Sequence, residues 1–272
     1  MANAANFTFV FVGHFQRDSL LALVCRYIGS LPASNPPFAS WQPALINEPS
    51  PHHQAAQSST APTTTTAPNN ETSLVGTLRS VQTYAHGIVC NHFRHAMTTP
   101  KANAYIVWWA KGTPYTLANI VMAEAVGQLL GMRYTQRIRE EMGAAYSTDA
   151  SCTLAPDVNT TYLKLYGICP MKPELVDSTL KTMRAEAENM ARNIDPTLLE
   201  NVKRHLAKRF EERTKQNNTW LRAVQTWVQQ GIDIHTNYLT ELQNITPQRL
   251  QQFVAHQLMA QGNRVEVVML PE

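Results

Sequence analysis

At 272 residues, with 44 % hydrophobic and 16 % charged residues, the chain is globular in composition, lightly charged and long enough for a substantial core. A net charge of +3, with nine histidines counted as neutral, and the lack of any Lys/Arg run interleaved with aromatics exclude a nucleic-acid protein. Four cysteines, Cys25, Cys90, Cys152 and Cys169, form no Cys-x-x-Cys pair and no disulfide framework, and no stretch approaches the ~20 apolar residues of a membrane span.

Phe7 to Val12 is a short apolar run ended by Gly13, the pattern of a buried strand. The N-terminus lacks a basic head and runs straight into it, so it does not read as a signal peptide. A chain that begins almost inside a strand suggests a piece of a longer protein. Asp18 to Ile28 has the apolar spacing of an amphipathic helix closed by Gly29 and Pro32, with Cys25 as a small core residue. Residues 33 to 73 are rich in Pro, Ser and Thr and have almost nothing to bury, which predicts a long mobile loop within the domain. His52-His53 within it reads as a solvated loop pair.

Two strands are expected around Gly87–Thr98 and Ala102–Lys111; Ala104-Tyr-Ile-Val-Trp-Trp-Ala110 is apolar enough to be central in a sheet. A long helix follows from Thr116 to about Glu141. Ala145–Leu154 and Thr160–Ile168 form the next pair, a hairpin around Ala155-Pro-Asp-Val-Asn. Helices over Pro173–Asn193 and from Pro196 to about Lys215, the second capped by Asp195, precede two or three more through Met259. Arg264–Met269 closes the chain as an apolar strand. Trp108-Trp109, and Trp220 with Trp227 on one helix face, read as core or inter-domain packing. The order of elements indicates one α+β domain over 1–272: a mixed, largely antiparallel sheet of about five or six strands with helices on one face.

No complete catalytic set can be assembled. There is no Gly-x-Ser-x-Gly elbow, no phosphate-cradling glycine pattern and no His-x-x-Glu-His. The cluster Cys90-Asn-His-Phe-Arg-His95 would put Cys90 and His92 on one strand face and His95 on the other, which reads as ordinary strand polar residues. His205 and His235 stand alone. The most informative stretch is Arg137-Ile-Arg-Glu-Glu-Met-Gly-Ala-Ala-Tyr146, across a helix end. Arg139 there can simply complement the helix dipole with Glu140 and Glu141 as partners, and Tyr146 can pack with its hydroxyl at the rim. The same spacing can bring a guanidinium and a phenol to one edge, both donors suited to a peptide carbonyl or a developing oxyanion.

That stretch resembles the substrate-clamping motif in the C-terminal half of pitrilysin-type (M16) zinc metallopeptidases. Phe7-Thr-Phe-Val-Phe-Val-Gly13, Tyr27-Ile-Gly-Ser-Leu-Pro32, Lys101-Ala-Asn-Ala-Tyr-Ile-Val, Pro114-Tyr-Thr and Val265-Glu-Val-Val-Met-Leu-Pro271 are similar to that family's C-terminal-type domain in the same order. The resemblance implies a LuxS/mitochondrial-processing-peptidase-like metallohydrolase fold, inactive by itself because it lacks the zinc motif. It implies that Arg139 and Tyr146 bind a peptide substrate, opposite zinc carried by a His-x-x-Glu-His half, fused or separate. Metal ligands and cofactors are not expected in this chain. The resemblance to bacterial members suggests the cell envelope. The alternative is a non-catalytic structural or interaction subunit of the same fold.

Overall fold

Strand β2 (Ala102–Lys111) is the pivot of a five-stranded sheet, ordered β1-β5-β2-β4-β3 in the computed structural model, which describes residues 4, 7–33, 86–97, 100–157 and 160–272. Its near-continuous apolar run suits a position between two neighbours. On one side it pairs antiparallel with β4 (Thr161–Met171), which pairs antiparallel with β3 (Asp149–Pro156) to complete the expected hairpin. On the other side lies β5 (Asn263–Pro271), antiparallel to β2 and parallel to β1 (Ile88–His95). The sequence neighbours β1 and β2 are therefore separated by a strand from far along the chain.

Burial alternates along the sheet as the period of two requires. Ala104, Ile106 and Trp108 of β2 and Leu163, Leu165 and Cys169 of β4 are buried, on the helix side. Tyr105 and Ile168 are exposed on the other face, where the Tyr105 and Tyr166 rings lie 5.9 Å apart. Trp109 is on that face too, but His86 and Tyr162 cover it, leaving it 1 % exposed.

The helix layer begins with α2 (Leu117–Tyr134), whose N-cap Thr116 accepts from the Asn119 amide. It is apolar almost all round and is correspondingly buried among sheet and helices. A π-helical turn, Thr135–Glu141, extends it. A 3-10 turn, Pro173–Leu175, leads into α3 (Val176–Asn189). Helix α4 (Pro196–Arg213) starts at the predicted cap, with the Thr197 amide donating to Asp195 Oδ1 at 2.8 Å. Helices α5 (Asn217–Gln230), α6 (Tyr238–Gln243) and α7 (Pro247–Gln252, running into a π-helical turn Phe253–Met259) complete it.

Two expectations are corrected, and for Trp220 and Trp227 packing in this domain's core is excluded. Phe7–Val12 joins no ladder among the described residues, and Phe7, Phe9 and Phe11 are exposed. An apolar run reports a preference for a half-buried pleated surface, not whether a partner edge is reached. Helix α1 (Arg17–Tyr27) buries no residue, so Cys25 is exposed rather than a core residue. Helix α5 turns Trp227 outward, 63 % exposed; Trp220 is also exposed, donating its indole N–H to Thr214 O at 2.8 Å and resting on His235. The 33–73 loop, from residue 34 onward, lies outside the described residues.

Candidate functional site: an exposed arginine and tyrosine on a buried anchor

The π-helical turn that ends α2 is held from below. Ile138 is completely buried between Arg137 and Arg139, so the two arginines leave the turn on its outer side. The turn closes through Met142 N donating to Arg137 O at 3.1 Å and Ala144 N to Ile138 O at 3.0 Å, with Gly143 at φ +58°. Only a residue without a Cβ adopts that backbone at low cost, which explains the glycine in Met-Gly-Ala-Ala. Ala144 is buried and accepts from Lys172 N at 3.0 Å, fixing the backbone two residues before Tyr146.

Arg137 is structural. It pairs with Glu141 one turn on, and its Nε lies 3.3 Å from Oε1 of the buried Glu186 on α3. Arg133 Nε approaches Glu186 Oε2 at 3.2 Å, close enough for charge pairing though not aligned as a hydrogen bond. One buried carboxylate thus ties both arginines to the helix layer. Deeper still, Tyr134 is wholly buried and donates its hydroxyl to Met183 O at 3.0 Å. Burial, reinforced by Cys169 and Glu186, raises the Tyr134 phenol well above its ordinary pKa.

Arg139 and Tyr146 are brought together. The Arg139 guanidinium carbon lies 5.5 Å from the Tyr146 ring centroid, and the tyrosine is 86 % exposed. This distance is within cation–π range. Neither Glu140 nor Glu141 serves as the expected partner of Arg139; Glu141 has gone to Arg137. Tyr146 precedes β3 rather than starting it. A cleft of about 500 Å³ opens between the end of α2 and the start of β3, bordered by Gln136, Glu140, Thr148 and Asp149; Arg139 and Tyr146 do not line it. An exposed guanidinium and phenol can donate hydrogen bonds to a backbone carbonyl and to an oxyanion.

Among the described residues, Cys90, His92 and His95 are strand residues of β1. Cys90 and His92 share one face of β1, but His92 Nε2 lies 3.4 Å from Glu266 Oε1, and that carboxylate is held by Arg184 at 2.8 and 3.1 Å. An acid already clamped by a guanidinium is a poor metal ligand. Among the described residues no group of three or more His, Cys, Asp or Glu is placed to hold a metal. None of their helices is long and apolar enough to cross a membrane. Sequence reasoning missed the anchor Glu186; Tyr134 falls at the apolar spacing of the 116–141 helix, but its hydrogen bond to Met183 O had no local signal. The nearest signal for Glu186 is that the 173–193 helix carries its charged residues on one face.

The family model described as "Peptidase M16 inactive domain" matches residues 1–206. None of the curated proteins compared with the chain matches it. Among solved structures, the chain is similar to the periplasmic protease PqqL from Escherichia coli, at 19 % identity and TM-score 0.62, covering 96 % of this chain and 25 % of that one. It is similar to a protease from Helicobacter pylori (12 % identity, TM-score 0.65, covering 96 % and 54 %). A peptidase M16 inactive domain from Pseudomonas fluorescens matches at 16 % identity and TM-score 0.54, covering 69 % and 44 %. The chain spans a quarter to about half the length of these proteins. At such identities the likeness shows the fold.

Proposed function

Because the chain belongs to the peptidase M16 inactive-domain family, we propose that it is the metal-free, substrate-gripping domain of a two-half zinc metalloendopeptidase. Its partner is a zinc-bearing His-x-x-Glu-His half, fused or separate, and together the two enclose a proteolytic chamber. The observation that carries this reading is the exposed Arg139–Tyr146 pair on a buried anchor. A guanidinium that meets no carboxylate among the described residues, on a turn anchored by Ile138, is a ready donor to a peptide carbonyl. A cation over a ring face leaves the phenolic O–H, which lies in the ring plane, available to a second acceptor.

In the proposed mechanism Arg139 orients the scissile carbonyl and Tyr146 donates a hydrogen bond to the oxyanion as it develops. The partner half's zinc would supply Lewis-acid activation of water. The chain by itself hydrolyses nothing. The test is Tyr146→Phe in the enzyme assembled with its zinc-bearing half. Loss of one oxyanion donor should lower kcat by about 10²–10³-fold with KM little changed. An unchanged kcat would overturn the role.

A second reading, a non-catalytic interaction subunit, is favoured by a different observation: Trp227 and the apolar residues of Phe7–Val12 and α1 are exposed, as at a surface covered by a partner. Under that reading Tyr146→Phe leaves every activity of the assembly intact, whereas Trp227→Ala weakens the assembly.

A further inference from the structure

Helices α2, α4, α5 and α6 meet around a largely apolar pocket of about 230 Å³. All its lining residues except Ile120 and Glu124 lie beyond residue 206, outside the span that the family model matches. Neither Arg139 nor Tyr146 borders it. Its apolar wall is a ring stack: Phe210 and Tyr238 lie 4.3 Å apart and 3° from parallel. His235 closes one side, its ring 5.2 Å from Phe210 and 4.3 Å from Trp220. The loop that carries His235 is set by Asp233, which accepts from the His235 and Thr236 amides at 2.8 and 3.0 Å.

The charges around the pocket do not cancel. Glu124 accepts from Arg213 at 3.3 and 3.4 Å and from the Tyr238 hydroxyl at 2.5 Å, so that acid is neutralised. Arg222 is left over: it is exposed and meets no carboxylate among the described residues. Asn218 and Thr219 precede it by one helical turn and border the same pocket, so an amide, a hydroxyl and a guanidinium line one rim of α5. His235 Nε2 is buried without a hydrogen-bond partner among the described residues. A buried polar atom left unpaired calls for an explanation, and an occupant of the pocket supplies one.

One uncompensated cation beside an apolar hollow suits a monoanion with an apolar body. A guanidinium fork fits a carboxylate through two parallel hydrogen bonds. Size sets the rest. An apolar cavity of about 150 Å³ holds a benzene ring, so about 230 Å³ accommodates one ring with a short acid arm and excludes a nucleotide. We infer that this pocket binds a small aryl carboxylate, its ring beside Phe210 and Tyr238 and its carboxylate on Arg222, with Asn218 and Thr219 as further donors. The site goes beyond the gripping role of Arg139 and Tyr146 and needs no zinc-bearing half, so the 272-residue chain suffices to test it.

The experiment titrates phenylpropionate into the chain and follows the histidine ring signals by proton–carbon NMR. The His235 signal is identified by its loss in His235→Gln. It should move saturably, with a Kd on the order of 0.1–1 mM, as suits so few contacting atoms. Phenylpropionamide keeps the ring and loses the charge, and phenylpropylamine reverses the charge; both should bind at least about tenfold more weakly. Acetate, which keeps only the charge, should not bind. Arg222→Gln should weaken phenylpropionate by about tenfold. Ala223→Leu, which fills the hollow and leaves Arg222 in place, should abolish binding. Three results would each overturn the assignment: a His235 signal unmoved by phenylpropionate up to about 10 mM, an amide that binds as well as the acid, or undiminished binding to Arg222→Gln. The comparison of acid with amide uses the unaltered protein, so it decides the matter even where a substitution disturbs the pocket.

Discussion

Tyr134 occupies the volume that any side chain at Gly167 would need: a Cβ there would lie 2.6 Å from the tyrosine Cε2 and 2.9 Å from its hydroxyl. The end of α2, and with it the turn that carries Arg139, is keyed to β4 by this contact. Gly167→Ala should therefore destabilise the fold by about 1–3 kcal/mol through overpacking. Tyr134→Phe should cost about 1 kcal/mol by removing the buried hydrogen bond to Met183 O. Urea unfolding measures both, and a Gly167→Ala protein as stable as the parent would show that the ring yields.

Arg139 and Tyr146 should matter little to stability. Their contact is exposed, and such pairs contribute about 0.5–1 kcal/mol. Arg139→Ala and Tyr146→Ala should each shift the unfolding free energy by less than about 1 kcal/mol. A larger loss in thermal or urea melts would assign the pair a structural task.

Glu186 should behave in the opposite way. Replaced by Gln, it no longer neutralises Arg133 and Arg137. Both guanidiniums reach solvent, so the cost is moderate, roughly 1–2 kcal/mol. A double-mutant cycle of Glu186→Gln with Arg137→Gln should return a coupling of about 0.5–1.5 kcal/mol, and additivity would remove Glu186 from the anchor.

The fold should weaken in alkali. Burial pushes the Cys169 thiol up from 9.0 to about 12, and raises the Cys152 thiol and the Tyr134 phenol as well. Below about pH 9 all three are protonated in both states, and their contribution is fully present. Above that, the unfolded chain releases protons that the folded chain retains, so stability is lost progressively up to about pH 12. The urea midpoint should fall as pH is raised through this window, and Cys169→Ala should make the fall shallower. A flat midpoint would contradict the burial of these groups.

What could be read from the sequence was local. The apolar run of β2, the Asp195 cap ahead of Pro196 and the hairpin turn before Thr161 each announce themselves within a few residues. The pairing of Arg139 with Tyr146 was legible too, because one short turn joins them. The partner choice inside that turn was misread for a geometric reason. Residues one and two apart on a helix do not face each other, whereas Arg137 and Glu141 are four apart and do. Insertion of β5 between β1 and β2, and the outward turn of Trp227, depend on contacts far apart in sequence, which no window of periodicity contains.

Strand β5 carries a consequence for synthesis. It is the one strand through which β1 and β2 meet in one sheet, and Val265 pairs with Val89 across most of the chain's length. While a ribosome is making the protein, β1 and the edge of β2 that faces away from β4 must wait unpaired until Asn263–Pro271 emerges. Folding governed by so distant a closure is slow, and the nascent chain is exposed to aggregation throughout. A chaperone that shields these strands would be needed more by this domain than by one whose sheet is built from consecutive hairpins.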